Sequence, residues 1–116
     1  TASAFGTGPV SINLGDPALA TYGTDARKII GSIAALWAGD TDGNGTLRYT
    51  GQFNDRDPVL VRIGGSIPTA TTTGYFNEDV NLDGVVRYTN QNNDRDPILV
   101  NVGGNVPTTT RQEQLP

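Results

Sequence analysis

Eight of the 12 acidic residues of this chain fall within residues 40–57 and 79–96, four in each stretch, at a spacing suited to holding a cation. The first stretch opens Asp40-Thr41-Asp42-Gly43-Asn44-Gly45-Thr46-Leu47 and the second Asp79-Val80-Asn81-Leu82-Asp83-Gly84-Val85-Val86. Side-chain oxygens recur at loop positions 1, 3 and 5, as Asp40, Asp42 and Asn44 and again as Asp79, Asn81 and Asp83. Alternate residues of a tightly turning loop can all point inward, which is what a hard cation with six to eight oxygen ligands requires. Gly45 and Gly84 at position 6 permit the sharp turn, and Thr46 and Val85 at position 7 offer backbone carbonyls. The two loops together predict two calcium ions.

Position 12, where a loop of the EF-hand type supplies a bidentate Glu, is Gly51 in one stretch and Asn90 in the other. Acidic oxygens return four and six residues later, at Asp55 and Asp57 and at Asp94 and Asp96. An enlarged loop is therefore expected, closed by a carboxylate at the entrance of a following helix. Both pairs, Asp55 with Asp57 and Asp94 with Asp96, are expected at the metal; if Asp57 and Asp96 cap that helix, Asp55 and Asp94 are favoured as direct ligands, although one carboxylate can bind metal through one oxygen and cap through the other. The competing structural reading is an acidic turn salted by arginine, with Arg48 and Arg56 offsetting the first cluster and Arg87 and Arg95 the second.

The rest of the composition narrows the chemistry. The chain has no Cys and no His, which removes thiolate catalysis, thiolate zinc sites, disulfides and the commonest general base. A hydrophobic fraction of 35% is a thin core for 116 residues, so metals or neighbouring molecules are expected to supplement it. Eight scattered Lys and Arg residues and a net charge of −4 argue against nucleic acid. Paired carboxylates can hydrolyse glycosides, but carboxylates at ligand spacing in turns predict a metal site, and no enzymatic activity is expected. The glycine-rich run at 39–46 lacks the Lys of a phosphate-binding loop. The longest apolar stretch, Ile29 to Ala38, is too short to cross a bilayer, and any secretion signal is expected to have been removed or to lie upstream.

The elements that must position the ligands follow from an internal repeat. Residues 40–69 align with 79–108, and 17 of the 30 positions are identical. Each unit carries Asn-Asp-Arg-Asp-Pro, an apolar run and Gly-Gly, which predicts a two-turn helix with Asp57 or Asp96 as N-cap, Pro58 or Pro97 at the first helical position and Gly64-Gly65 or Gly103-Gly104 as the stop. Upstream, Ile29, Ile30, Ile33, Ala34, Leu36 and Trp37 fall on or near one helical face, predicting a longer helix over 26–38 that delivers the chain into the first loop with Trp37 as a core anchor. Val10-Ser11-Ile12-Asn13-Leu14 alternates between two turn signals and predicts a strand. Thr69–Thr73 and Thr108–Thr110 read as extended connectors, and Tyr49 and Tyr88, at equivalent positions, as packing residues.

Two such loops, each feeding a short helix, resemble the duplicated calcium-binding repeats of type I dockerins. Arg-Tyr-Thr, Asn-Asp-Arg-Asp-Pro, Gly-Gly and Pro-Thr, ending in Arg111-Gln112-Glu113-Gln114-Leu115-Pro116, are similar to the C-terminal repeat region of large secreted bacterial surface proteins. The resemblance covers residues 22–116 and departs from dockerins in the enlarged loop, the Asp-Pro helix start and the apolar helices. It implies secretion to the extracellular space or cell surface and calcium binding. The expected fold is a small mixed α/β module: residues 1–21 an N-terminal strand segment, which belongs to this domain or to an upstream or neighbouring one, and residues 22–116 the duplicated calcium-binding module. The expected function is structural, in a surface protein or self-assembling fibre, through self-association or neighbouring domains. The alternatives are a docking module for a cohesin-like receptor domain and an accessory domain of a secreted enzyme.

Overall fold

The computed structural model describes residues 12–21 and 26–112. In chain order the elements are β1 (Lys28–Ile30), β2 (Ile33–Ala35), β3 (Leu47–Arg48), α1 (Arg56–Arg62), β4 (Thr71–Thr73), β5 (Val85–Arg87), α2 (Arg95–Val102) and β6 (Thr110–Arg111). The fold is a small mixed α/β arrangement with two helices and three antiparallel strand pairs among the described residues. No helix among them is long and apolar enough to cross a membrane.

The two repeats interlock through their strands. The strand that leaves each loop pairs with the strand that follows the other repeat's helix, β3 with β6 and β5 with β4. Side chains repeat the exchange: Thr50 Oγ1 donates to the Pro107 carbonyl at 3.0 Å, and Thr89 Oγ1 to the Pro68 carbonyl at 2.9 Å. The threonine stretches expected only as connectors are thus strands in part. Their partners lie in the other repeat, so nothing local in the sequence announces the pairing.

Between the strand pairs lies a small core of equivalent positions from both repeats: Leu47 with Val86, Val59 with Ile98, Ile63 with Val102, joined by Val80. Gly39 enters this core with φ 119, and a β-carbon there would lie 2.8 Å from Leu47 Cδ1 and 3.2 Å from Ile98 Cγ1. Only glycine fits where the chain turns into the first loop.

Both short helices form where the punctuation predicts them, and the Gly-Gly pairs end them. In α1, Gly65 N donates to the Leu60 carbonyl and Gly64 N to the Val61 carbonyl; in α2, Gly104 and Gly103 do the same to Leu99 and Val100. Those bonds form the glycine-closed helix stop. The start differs from expectation. Asn54 and Asn93, not Asp57 and Asp96, cap the helices, each accepting the N–H of the aspartate three residues on at 2.8 Å. Their amide nitrogens also donate to that aspartate's carboxylate at 2.9 Å, so Asp57 and Asp96 complete a reciprocal cap.

The helix expected over 26–38 is instead a hairpin, with β1 and β2 paired antiparallel and Ile30 opposite Ile33. Gly31-Ser32 forms the two-residue turn, and Gly31 has φ 60. Glycine at the first turn position with branched residues on both sides favours a hairpin over a helix interior. Trp37 is buried as expected, with the Arg111 guanidinium 3.6 Å from its ring centroid and the Lys28 ammonium at 5.8 Å. The strand expected over 10–14 is not found in its described part: residues 12–14 lead into a turn, with Asp16 N donating to the Asn13 carbonyl. Val10 and Ser11 lie outside the described residues. Arg27 holds this turn by donating to the carbonyls of Leu14, Asp16 and Leu19.

Candidate metal centre

The first loop is organised by its own carboxylates. Asp40 accepts the N–H of Asn44 through Oδ1 at 3.1 Å and that of Gly45 through Oδ2 at 3.0 Å, drawing positions 5 and 6 back over position 1. Asp42 Oδ1 also accepts Asn44 N, and Asn44 Oδ1 accepts Thr46 N at 2.7 Å. Such side-chain bonds to backbone two residues on favour a tight turn. Gly45 adopts φ 81, as the turn requires.

Asp55 closes the loop from the far side. It is wholly buried. Its Oδ1 accepts Thr41 N at 2.9 Å and its Oδ2 accepts Arg48 N at 2.7 Å, while Thr41 Oγ1 donates to the Asp55 carbonyl at 2.7 Å. One carboxylate oxygen from each of Asp40, Asp42 and Asp55 lies within 4.8 Å of the others. Oxygens within 4.8 Å of one another are close enough to share one metal ion, so this acidic triad could hold a metal. Thr41 is a contributor that the sequence does not reveal, because Val80 stands at its equivalent position.

Burial pushes the Asp55 carboxyl up from 3.8 to about 6, and the negative charges of Asp42 and Asp40 add to the rise against the lowering effect of the backbone hydrogen bonds. The arginines do not relieve this cluster. Arg56 stacks on Tyr49 at 5.1 Å and Arg48 donates to the Gln52 carbonyl, and among the described residues neither makes an ion pair.

The second loop repeats the backbone scheme with altered side chains. Asp79 accepts Asp83 N at 3.1 Å and Gly84 N at 2.8 Å, and Asp94, also wholly buried, accepts Arg87 N at 2.7 Å and Asn81 N at 3.3 Å. Burial raises the Asp94 carboxyl as well. Here an amide, Asn81, stands where the first loop has Asp42, and its Nδ2 donates to the Asn92 carbonyl. Asp83 at position 5 pairs with Arg87 at 2.7 Å. The arginine-salted reading therefore describes part of the second loop.

Of the sequence-derived ligands, Asp40, Asp42 and Asp55 converge. Asn44 is bonded to Asp42 through Nδ2 at 2.8 Å, and Thr46 and Val85 follow their loops at position 7. Asp57 and Asp96 are exposed and bonded to the capping asparagines, outside the carboxylate triad. Comparison of the chain with protein-family models, with curated proteins and with solved structures finds no match.

Proposed function

We propose that this chain is a calcium-stabilised structural module, with one ion in the loop of Asp40, Asp42, Asn44, Thr46 and Asp55 and a second in the loop of Asp79, Asn81, Asp83, Val85 and Asp94. The observation that carries the reading is the convergence of three carboxylates, one of them wholly buried, with no cation paired to them among the described residues. An uncompensated buried carboxylate is costly, and a divalent ion removes the cost. The bond from Arg87 N to Asp94, equivalent to that from Arg48 N to Asp55, supports the second site, where Asn81 and the Asp83–Arg87 pair predict weaker binding.

The role is structural because the donors lie at the junctions of the fold. Asp55 ties the start of the loop to β3 and to the entrance of α1, so an ion there orders three segments at once. Ions that bind only the folded state add their binding energy to stability. Sites of this kind suit the extracellular space, where calcium is abundant, and a dockerin-like module of a secreted surface protein or fibre is the setting proposed. Calcium counting after equilibrium dialysis tests the assignment: two ions per chain are expected, falling to one in Asp40→Ala and one in Asp79→Ala. An undiminished count in either variant refutes that loop's ligands.

A further inference from the structure

Asn44 is the one asparagine of the chain that is followed by glycine. An asparagine side chain closes on the next backbone nitrogen to form a five-membered ring, and the chief obstacle is the side chain of that next residue, which glycine lacks. The surroundings are open too. Asn44 and Gly45 are both exposed, and a β-carbon built on Gly45 would meet nothing within 4 Å.

The loop engages each group that such a ring closure changes. The N–H of Gly45, on the attacking nitrogen, is held by Asp40 Oδ2 at 3.0 Å. Thr46 N donates to Asn44 Oδ1 at 2.7 Å, so a donor already sits on the carbonyl oxygen where charge develops during attack. Asn44 Nδ2, the departing nitrogen, donates to Asp42 Oδ2 at 2.8 Å. Asn54, Asn93 and Asn101 are instead buried, and Asp55, Asp94 and Val102 follow them.

We propose that Asn44 is a site of spontaneous deamidation. The Gly45 nitrogen bonds to Asn44 Cγ and sheds its proton to water by way of the Asp40 carboxylate. The Cγ–Nδ2 bond then breaks, and the nitrogen takes up a proton from water and leaves as ammonia. Water opens the resulting succinimide at one carbonyl or the other, leaving aspartate or isoaspartate at position 44, with no change of oxidation state.

The second loop shows that the fold accommodates the aspartate product. Asp83 stands at the equivalent position, with Oδ1 accepting Val85 N at 2.9 Å and Oδ2 paired with Arg87, and Arg48 is the residue equivalent to Arg87 in the first loop. The isoaspartate product adds a methylene to the backbone between loop positions 5 and 6, where Asp40 holds both N–H groups, and so disrupts the turn. This modification goes beyond the calcium reading and does not depend on it, since it is read in peptide masses from metal-free protein.

Peptide mapping tests it. Trypsin releases residues 29–48 as a peptide in which Asn44 is the only side-chain amide, so a gain in mass there reports this residue alone. The full chain is aged in chelator at mildly alkaline pH, folded and, in parallel, unfolded in urea. The folded chain is expected to convert amide to acid in that peptide before any other asparagine-containing peptide changes, at a rate comparable to the unfolded chain's, with fragmentation placing aspartate and isoaspartate at position 44. A folded chain whose 29–48 peptide keeps its mass, or gains it manyfold more slowly than the unfolded chain, or in which another asparagine reacts first, would overturn the proposal.

Discussion

Asp55 holds the backbone N–H of Arg48 at 2.7 Å while Asp55 N donates to the Arg48 carbonyl at 2.8 Å, so the residue that closes the first loop is tied in both directions to the strand that leaves it. Asp94 and Arg87 make the same pair of bonds at the same distances. The residue that closes each loop is thus also part of the scaffold, so loop closure and folding are coupled.

Replacing that carboxylate separates its roles. In Asp55→Asn an amide NH₂ must face one of the two N–H donors, from Thr41 or Arg48, leaving a buried donor unpaired at a cost of about 1–3 kcal/mol. The variant is expected to lose one calcium and to unfold at lower urea in chelator as well. Asp57→Asn, which alters only the helix cap, is expected to retain both ions. Ion counts and urea midpoints of the two variants check this.

Acidity acts in opposite senses on the apo and calcium-bound forms. The Asp55 carboxyl titrates near 6 when folded and near 3.8 when free, so the folded metal-free chain binds that proton more tightly. Its contribution is full below 3.8 and is lost as pH rises through about 6, a displacement worth roughly 3 kcal/mol. Chelated protein is therefore expected to be more stable near pH ~5 than near pH ~7.5. Calcium competes with the proton, so affinity is expected to rise with pH over the same window. Calorimetric melts and calcium titrations at the two pH values decide it.

Gly39→Ala probes the approach to the first loop. The new methyl would meet Leu47 and Ile98 in a backbone conformation that alanine disfavours. A loss of roughly 2–4 kcal/mol is expected, combining overpacking with strain. Gly43→Ala, with φ 71 and open space around the added carbon, is expected to cost only about 1–2 kcal/mol. Urea unfolding of both in chelator gives the comparison.

The two short helices are legible in the sequence because Asn-Asp-Arg-Asp-Pro and Gly-Gly act locally, and the convergence of Asp40, Asp42 and Asp55 follows from the tight turn at Gly45. The hairpin is not legible. Ile29, Ile30, Ile33 and Leu36 satisfy a helical period as well as a strand one, and the Gly31-Ser32 turn decides between them. The division of labour between Asp55 and Asp57 depends on which carboxylate the fold buries, and the capping role falls to Asn54 because its side chain bonds both the N–H and the carboxylate of Asp57. Strands β4 and β6 are threonine-rich segments whose partners are in the opposite repeat, a relationship that no local pattern carries.

Thermal unfolding with calcium and then with excess chelator tests the central claim most directly. At free calcium about 100 times the dissociation constant each site adds ~2.7 kcal/mol, which for two sites raises the midpoint of a chain this size by roughly 10 °C or more. A large, reversible fall in the midpoint on chelation, restored by added calcium, is the predicted result. An unchanged midpoint would contradict the account.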